Sequence, residues 1–234
     1  CVKFGPDGKL YISTGEMFQA KLAQDMTGIN GKILRVNDDG TIPSDNPFVG
    51  EEFKAKGVRP EIWSYGHRNP QGFDWQPGTG LMFGTEHGPS GEGGTGSGGD
   101  EFNLIEKGKN YGWPTIHHML TTEGMETPLK EWTPSIAPSG GSFYSGDKFP
   151  AWKGNYFFGA LGGLRMPAEP GVVRVTIEDR KFVSAEFLAT EYGRIRDVIQ
   201  GPDGYIYFTT SNRDGRNPTP APRDDRVLRL VPAK

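Results

Sequence analysis

Apolar and polar residues alternate along this chain in short runs, separated by turn residues and with little helical spacing. Three segments share one layout: residues 1–15 (CVKFGPDGKLYISTG), 72–85 (GFDWQPGTGLMFGT) and 198–210 (VIQGPDGYIYFTT). Each predicts a short strand, a turn of the Pro-Asp-Gly type, and a second strand in which apolar and aromatic residues alternate with others. Proline presets φ at the second turn position, and glycine supplies the positive φ that closes a hairpin. A weaker copy, residues 152–161 (WKGNYFFGAL), runs into its strand through Gly-Asn. A second type recurs at residues 31–37 (GKILRVN), 171–177 (GVVRVTI) and 225–231 (DRVLRLV), where arginine alternates with Ile, Leu and Val. That period of two marks a half-buried strand.

The repeats are spaced by about 45 to 80 residues, which suits four-stranded propeller blades carrying loop insertions. The expected fold is therefore all-β, a β-propeller, with residues 1–234 forming one partial propeller of about four blades. A sandwich also has many short strands, but it does not ordinarily repeat a Pro-Asp-Gly hairpin followed later by a basic outer strand. Helix is expected only over 51–56 and in a turn near 17–25. Low-complexity sequence is confined to 91–99, expected to be a flexible insertion. The chain opens at Cys1 directly into a strand, as expected for a piece of a longer chain.

Composition narrows the function. The 234 residues include 35 Gly and 19 Pro, a turn-rich balance, while 12% aromatic residues argue against disorder. A net charge of −3 offers no basic surface to nucleic acid or anionic lipid. No apolar run approaches the roughly 18 residues that a membrane helix needs. With Cys1 as the single cysteine there is no internal disulfide, and redox compartment is left open.

Candidate chemistry gathers in residues 59–114. A strand-like run ends at Gly66 and is followed by His67, Arg68 and Asn69. A hairpin turning at 76–80 leads through a strand to Glu86, His87, Gly88 and Pro89. The glycine-rich loop then delivers Asp100 and Glu101, and the aromatic segment 110–113 follows. Arginine, asparagine, histidine, acids and carbonyls thus fall at strand ends, where a rigid β scaffold usually carries its sites. Such a set suits both an anion and a cation. His67 is expected to make a structural hydrogen bond. His117 and His118 have no Cys or carboxylate at a recognisable ligand spacing and read as loop residues. Trp113 and Trp132 read as packing aromatics, and Asp214, Asp224 and Asp225 as a loop before the closing strand.

At GHRNPQGF (66–73), EHGP (86–89), GDEFNLIEKGKNYGWP (99–114) and GRIRDV (193–198), the chain resembles the soluble pyrroloquinoline-quinone (PQQ)-dependent sugar dehydrogenases, the glucose/sorbosone dehydrogenase family. The resemblance runs through essentially the whole chain in order and leans towards the aldose sugar dehydrogenases. It implies a six-bladed propeller, of which about four blades would be present here. It also implies PQQ- and calcium-dependent oxidation of an aldose at its anomeric carbon to a lactone, with hydride passing to the quinone. Arg68, Asn69, Arg194 and Arg196 match cofactor-binding positions. Arg165 falls where a cofactor-contacting lysine is expected, and His87 lines the pocket beside the calcium. Gly88 and Pro89 match positions whose backbone carbonyls hold that calcium, and Glu101 with Tyr111 resembles a second calcium site. The family's catalytic base, a histidine, and an early cofactor-binding glutamine are both expected upstream of Cys1, so no catalytic residue is assigned within 1–234. An external electron acceptor and a periplasmic or secreted setting are further implications of the resemblance.

The residue chemistry agrees with these assignments. PQQ is planar and carries three carboxylates, so guanidinium forks are its natural partners. Arg194 and Arg196 lie two apart on a predicted strand and leave the same face. Calcium is hard and takes oxygen ligands, backbone carbonyls included. A rival reading is a non-catalytic propeller that binds a carbohydrate or protein ligand, since fold does not fix function. The arginine and asparagine cluster favours the enzyme; a catalytic base outside the chain favours the rival. Exposed blade edges would invite pairing with a second copy.

Overall fold

A computed structural model describes residues 1–162, 169–216 and 220–232. The strands fall into four antiparallel meanders. The first sheet is β1 (Val2–Phe4), β2 (Leu10–Thr14), β3 (Lys32–Val36) and β4 (Ile62–Tyr65). The second is β5 (Pro70–Trp75), β6 (Met82–Glu86), β7 (Asp100–Ile105) and β8 (Lys130–Trp132). The third is β9 (Pro138–Phe143), β10 (Tyr156–Ala160), β11 (Gly171–Glu178) and β12 (Lys181–Leu188). The fourth has three described strands, β13 (Ile195–Gln200), β14 (Ile206–Thr210) and β15 (Val227–Arg229). These are four blades of a β-propeller, as the repeats predict.

The predicted hairpins fall where the turn residues put them. Phe4 pairs with Leu10, Trp75 with Met82, and Gln200 with Ile206 around the three glycine-bearing turns. The basic strands 31–37 and 171–177 become β3 and β11, third in their sheets rather than at the outer edge, and β3 is buried at Lys32, Ile33, Leu34 and Arg35 rather than half-buried, its two cations held by buried acceptors. The helix expected over 51–56 is a single turn, α1 (Glu51–Lys54), and the turn near 17–25 contains the 3-10 turn Ala20–Ala23. Among the described residues no helix is long and apolar enough to cross a membrane.

The core lies between blades rather than within one. Phe83 and Phe102 of the second blade meet Phe143, Tyr156 and Phe158 of the third, all buried. Tyr144, Phe157 and Val172 of the third pack on Ile195, Val198 and Phe208 of the fourth. Tyr11 and Ile33 of the first pack on Phe73 and Met82 of the second. Because a middle blade is covered on both faces, β6 and β10 are buried along their whole length. That explains why the 152–161 repeat alternates so weakly: a strand buried on both faces has no solvent side to mark.

The first strands of successive blades sit side by side near the axis. Ser139 and Ser142 of β9 donate to the Ile195 and Val198 carbonyls of β13, and the Phe143 N–H donates to Asp74 of β5. Lys3 of β1 donates to the Gly141 carbonyl of β9 at 2.8 Å. In an antiparallel pair, the start of one strand and the end of the next share one end. The segments before β5, β9 and β13 and those after β6, β10 and β14 therefore collect on one face of the arc.

Candidate functional site

These loops enclose a cavity of about 630 Å³ lined by Arg68, His87, Gly88, Pro89, Asp100, Arg194 and Arg216, with the glycine-rich loop at its side. Its size falls in the range of about 300–1,000 Å³ usual for small-molecule sites. Three guanidiniums from two blades thus converge on one space.

Arg68 and Asn69 occupy the link between β4 and β5, and Glu86, the last residue of β6, fixes that link. Its carboxylate accepts the backbone N–H groups of Arg68 and of Asn69, the latter at 3.2 Å. Its other oxygen lies 2.9 Å from His67 Nδ1. A carboxylate only accepts, so Nδ1 carries the proton, and His67 Nε2 meets the Ser64 hydroxyl at 2.8 Å. Tyr111 stacks on the His67 ring at 4.5 Å. Ser64 and His67 are wholly buried, so this Ser-His-Glu chain has no substrate access and acts as a clasp. The Glu16 N–H donates to the Arg68 carbonyl and the His87 N–H to that of Asn69, which completes the grip on the dipeptide.

His87 follows β6 and lies beside the cavity. Its Nε2 donates to the Pro138 carbonyl at 2.7 Å, leaving Nδ1 as the acceptor. Burial lowers its pKa against the charge of Asp100, which favours the neutral ring. Asp100 ties the next residues down. One oxygen accepts the Gly88 N–H at 2.9 Å, and the other accepts Ser135 Oγ at 2.5 Å and the Ala137 N–H at 2.7 Å. A Cβ on Gly88 would lie 2.2 Å from the Gly98 carbonyl oxygen, so only glycine fits there. Gly88 and Pro89 are buried residues lining the cavity, and among the described residues no hydrogen bond reaches the Gly88 carbonyl. A carbonyl without a donor in such a place suits a hard cation.

The opposite wall is basic. Arg194, immediately before β13, donates through Nη1 to the Leu161 carbonyl at 2.6 Å and through Nε and Nη2 to Asp214 at 3.1 and 2.9 Å. Arg196 reaches the same Asp214 oxygen at 3.5 Å, so the two side chains do share a face. The Asp214 carboxyl is pushed up by burial, but hydrogen bonds from Arg194 and the Arg216 backbone hold it below the usual range. One carboxylate between two guanidiniums leaves this wall cationic.

Glu101 begins a second candidate cation site. Burial first, and then the Glu86 carboxylate paired across the strands, pushes Glu101 well above the usual carboxylate range. Its carboxyl accepts Asn103 Nδ2 at 2.9 Å, while Asn103 Oδ1 is buried with no donor among the described residues. A carboxylate repelled by a neighbouring carboxylate, beside an orphaned acceptor, fits a cation. The Tyr111 phenol is engaged elsewhere, donating to the Leu104 carbonyl at 2.5 Å and accepting the Glu106 N–H at 2.9 Å. That leaves the phenol unavailable to a metal. Among the described residues no cluster of three His, Cys, Asp or Glu side chains could hold a metal.

Of the expected cofactor residues, Arg68, Arg194 and His87 line the cavity together with the calcium-binding candidates Gly88 and Pro89. Asn69 does not; its Oδ1 accepts Gln71 Nε2 at 2.9 Å beside the link. Arg196 stands behind Arg194 with about half its side chain exposed (47%). Arg165 lies outside the described residues. His118 is a loop residue bound to Glu131 at 2.8 Å, and Trp132 packs on Phe158 and Phe182. Sequence reasoning missed Glu92, Asp214 and Arg216, and passed over Asp100 as part of an acidic pair. The glycine-rich stretch, expected as a flexible insertion, is folded onto the cavity by an antiparallel bridge between Ser90 and Ser97 and by the Gly99 N–H donating to Thr133 Oγ1.

The sequence profile of the Glucose / Sorbosone dehydrogenase family matches residues 1–219. The chain is 39% identical over 235 residues to the aldose sugar dehydrogenase YliI of Escherichia coli, covering 94% of this chain and 59% of that protein. It superposes with a TM-score of 0.85 on an oxidoreductase described as a glucose dehydrogenase from Thermus thermophilus, 41% identical, over 98% of this chain and 64% of that one. The PQQ-bound aldose sugar dehydrogenase of Streptomyces coelicolor superposes with a TM-score of 0.78 at 32% identity, over 98% of this chain and 60% of that one. The chain spans about three fifths of the length of these relatives. With most of its residues matched by one profile and its blades superposing on those relatives, the chain belongs to the Glucose / Sorbosone dehydrogenase family.

Proposed function

We propose that this chain carries most of the cofactor site of a PQQ- and calcium-dependent aldose sugar dehydrogenase. The observation that carries the reading is the convergence of Arg68, Arg194 and Arg216 on one cavity that is also lined by Gly88 and Pro89. A planar tricarboxylate bridged to calcium asks for that pairing of charges. When bound, the quinone supplies a hydride acceptor and the calcium polarises it.

The chain's own residues bind and orient. Arg68 and Arg194 bring guanidinium charge to the cavity, each with its Nε–Nη2 edge held by a loop acid, Glu92 with Ser90 in one case and Asp214 in the other, and Arg196 adds a second positive charge on Asp214. The Gly88 and Pro89 carbonyls, aimed by Asp100, would hold the calcium, with a second ion at Glu101. His87, its Nε2 proton held by the Pro138 carbonyl, presents Nδ1 as a hydrogen-bond acceptor at the cavity side. Electrons delivered to the cofactor must leave it, so the reading includes an external acceptor.

Reconstitution tests this. The full chain, loaded with calcium and PQQ, is assayed for reduction of a redox dye with glucose and other aldoses. Turnover supports a complete site. Quinone binding without turnover supports the cofactor assignment and places the base elsewhere. No quinone binding removes the reading and favours the non-catalytic propeller.

A further inference from the structure

The glycine-rich loop presents a carboxylate to the arginine that faces the cavity. Glu92 Oε1 lies 2.8 Å from Arg68 Nε, and Ser90 Oγ lies 3.0 Å from Arg68 Nη2. Together they cover the Nε–Nη2 edge of the guanidinium, the edge that grips a carboxylate with two parallel bonds. Among the described residues the third side of Arg68 hydrogen-bonds only the His87 carbonyl, at 3.5 Å, while the Trp113 ring lies 5.8 Å from the guanidinium. The loop is built to hold this acid in place: the Ser90 N–H donates to Glu92 Oε2 at 2.5 Å, Thr95 Oγ1 donates to the Glu92 carbonyl at 2.7 Å, and Ser90 bridges to Ser97. Gly91, just before Glu92, has φ of 96°, a left-handed turn that bends the side chain back towards Arg68.

The two ends of the cavity therefore differ in charge. Asp214 is shared by Arg194 and Arg196, which leaves a surplus positive charge there. Arg68 and Glu92 pair one to one and cancel. An anion arriving at Arg68 meets a site already filled by the protein's own carboxylate.

We propose that Glu92 is a built-in carboxylate ligand of Arg68 and so sets how tightly this end of the cavity takes an anionic ligand. The ligand's carboxylate displaces Glu92, and the loop swings outward on Gly91. The proposal rests on the cofactor reading only for the identity of the displacing anion.

Glu92→Gln keeps the shape of the side chain and removes its charge; the position is surface-accessible, so folding is not at stake. Two measurements on the full chain test it. Phenylglyoxal labelling of Arg68, read by peptide mass spectrometry without any quinone, is expected to be several-fold faster in the variant. Titration of PQQ in the presence of calcium is expected to show binding tighter by roughly fivefold, the effect of removing a partly exposed competing ion pair. Unchanged labelling overturns the proposal whatever the quinone does. Faster labelling with equal or weaker quinone binding also overturns it, since Glu92 would then assist the ligand rather than compete. Faster labelling with no quinone binding to either protein upholds the Glu92–Arg68 contact and sinks the cofactor reading instead.

Discussion

Glu86 offers the sharpest test of how the site is held. Its carboxylate serves three donors: His67 Nδ1–H and the backbone N–H groups of Arg68 and Asn69. Glu86→Ala leaves all three without a partner, two of them on buried residues. An unsatisfied buried donor costs about 1–3 kcal/mol, so the loss should reach about 4 kcal/mol or more. Relief of Glu101, which the Glu86 charge pushes upward, returns a small part of that. Glu86→Gln should be far milder. The amide oxygen keeps both backbone donors, and His67 can change tautomer, accepting the amide N–H at Nδ1 and donating to Ser64 from Nε2. Exchange of charged for neutral hydrogen bonds then costs about 1–2 kcal/mol. Urea unfolding with an unchanged slope reads both. A loss below about 1 kcal/mol for Ala, or equal losses for Ala and Gln, would refute the three-donor clasp.

Two other residues give independent checks. Lys32 is wholly buried and donates to the carbonyls of Leu22, Ala23 and Asn30 at 2.9, 2.9 and 2.7 Å, while burial lowers its pKa to about 8. Between that value and an unfolded value of about 10.4 the unfolded chain binds more protons, so stability should rise as pH increases through this window. Urea titrations at pH 7.5 and 9.5 should show the rise in the wild type and not in Lys32→Met, which should also lose about 3 kcal/mol at neutral pH by stranding three carbonyls. Asp100→Asn cannot accept on both sides of its side chain, so either the Gly88 N–H or the Ser135 and Ala137 donors lose their partner. Calcium affinity by calorimetry should fall about tenfold or more, as for other residues that orient metal ligands.

Much of the scaffold is legible in the sequence because its signals are local. Pro-Asp-Gly turns specify hairpins such as 1–15 within a few residues, and alternation marks β11. Where burial covers both faces, as in β10, the alternation fades and with it the strength of the prediction. Strand position within a blade is not local either, which is why β3 and β11 fall third rather than outermost, while β15 is the edge of its three described strands. The site divides the same way. Arg68, Gly88, Pro89 and Arg194 are found through their motifs. Glu92 and Asp214 are not, because each acts on an arginine 24 or 20 residues away in sequence across a folded loop. No spacing rule encodes such a partner. Asp100 was visible as an acid, but its three donors come from two loops distant in sequence, β6–β7 and β8–β9.

The central claim is that the cavity is a joint site for a carboxylate-bearing quinone and calcium. Its most direct test is a calorimetric titration of PQQ into the full chain, with calcium and again with a chelator, for the wild type and Arg194→Met. The account predicts saturable one-to-one binding that requires calcium and weakens by about tenfold or more when the Arg194 guanidinium is removed. Absent binding, or binding indifferent to both calcium and Arg194, would contradict it.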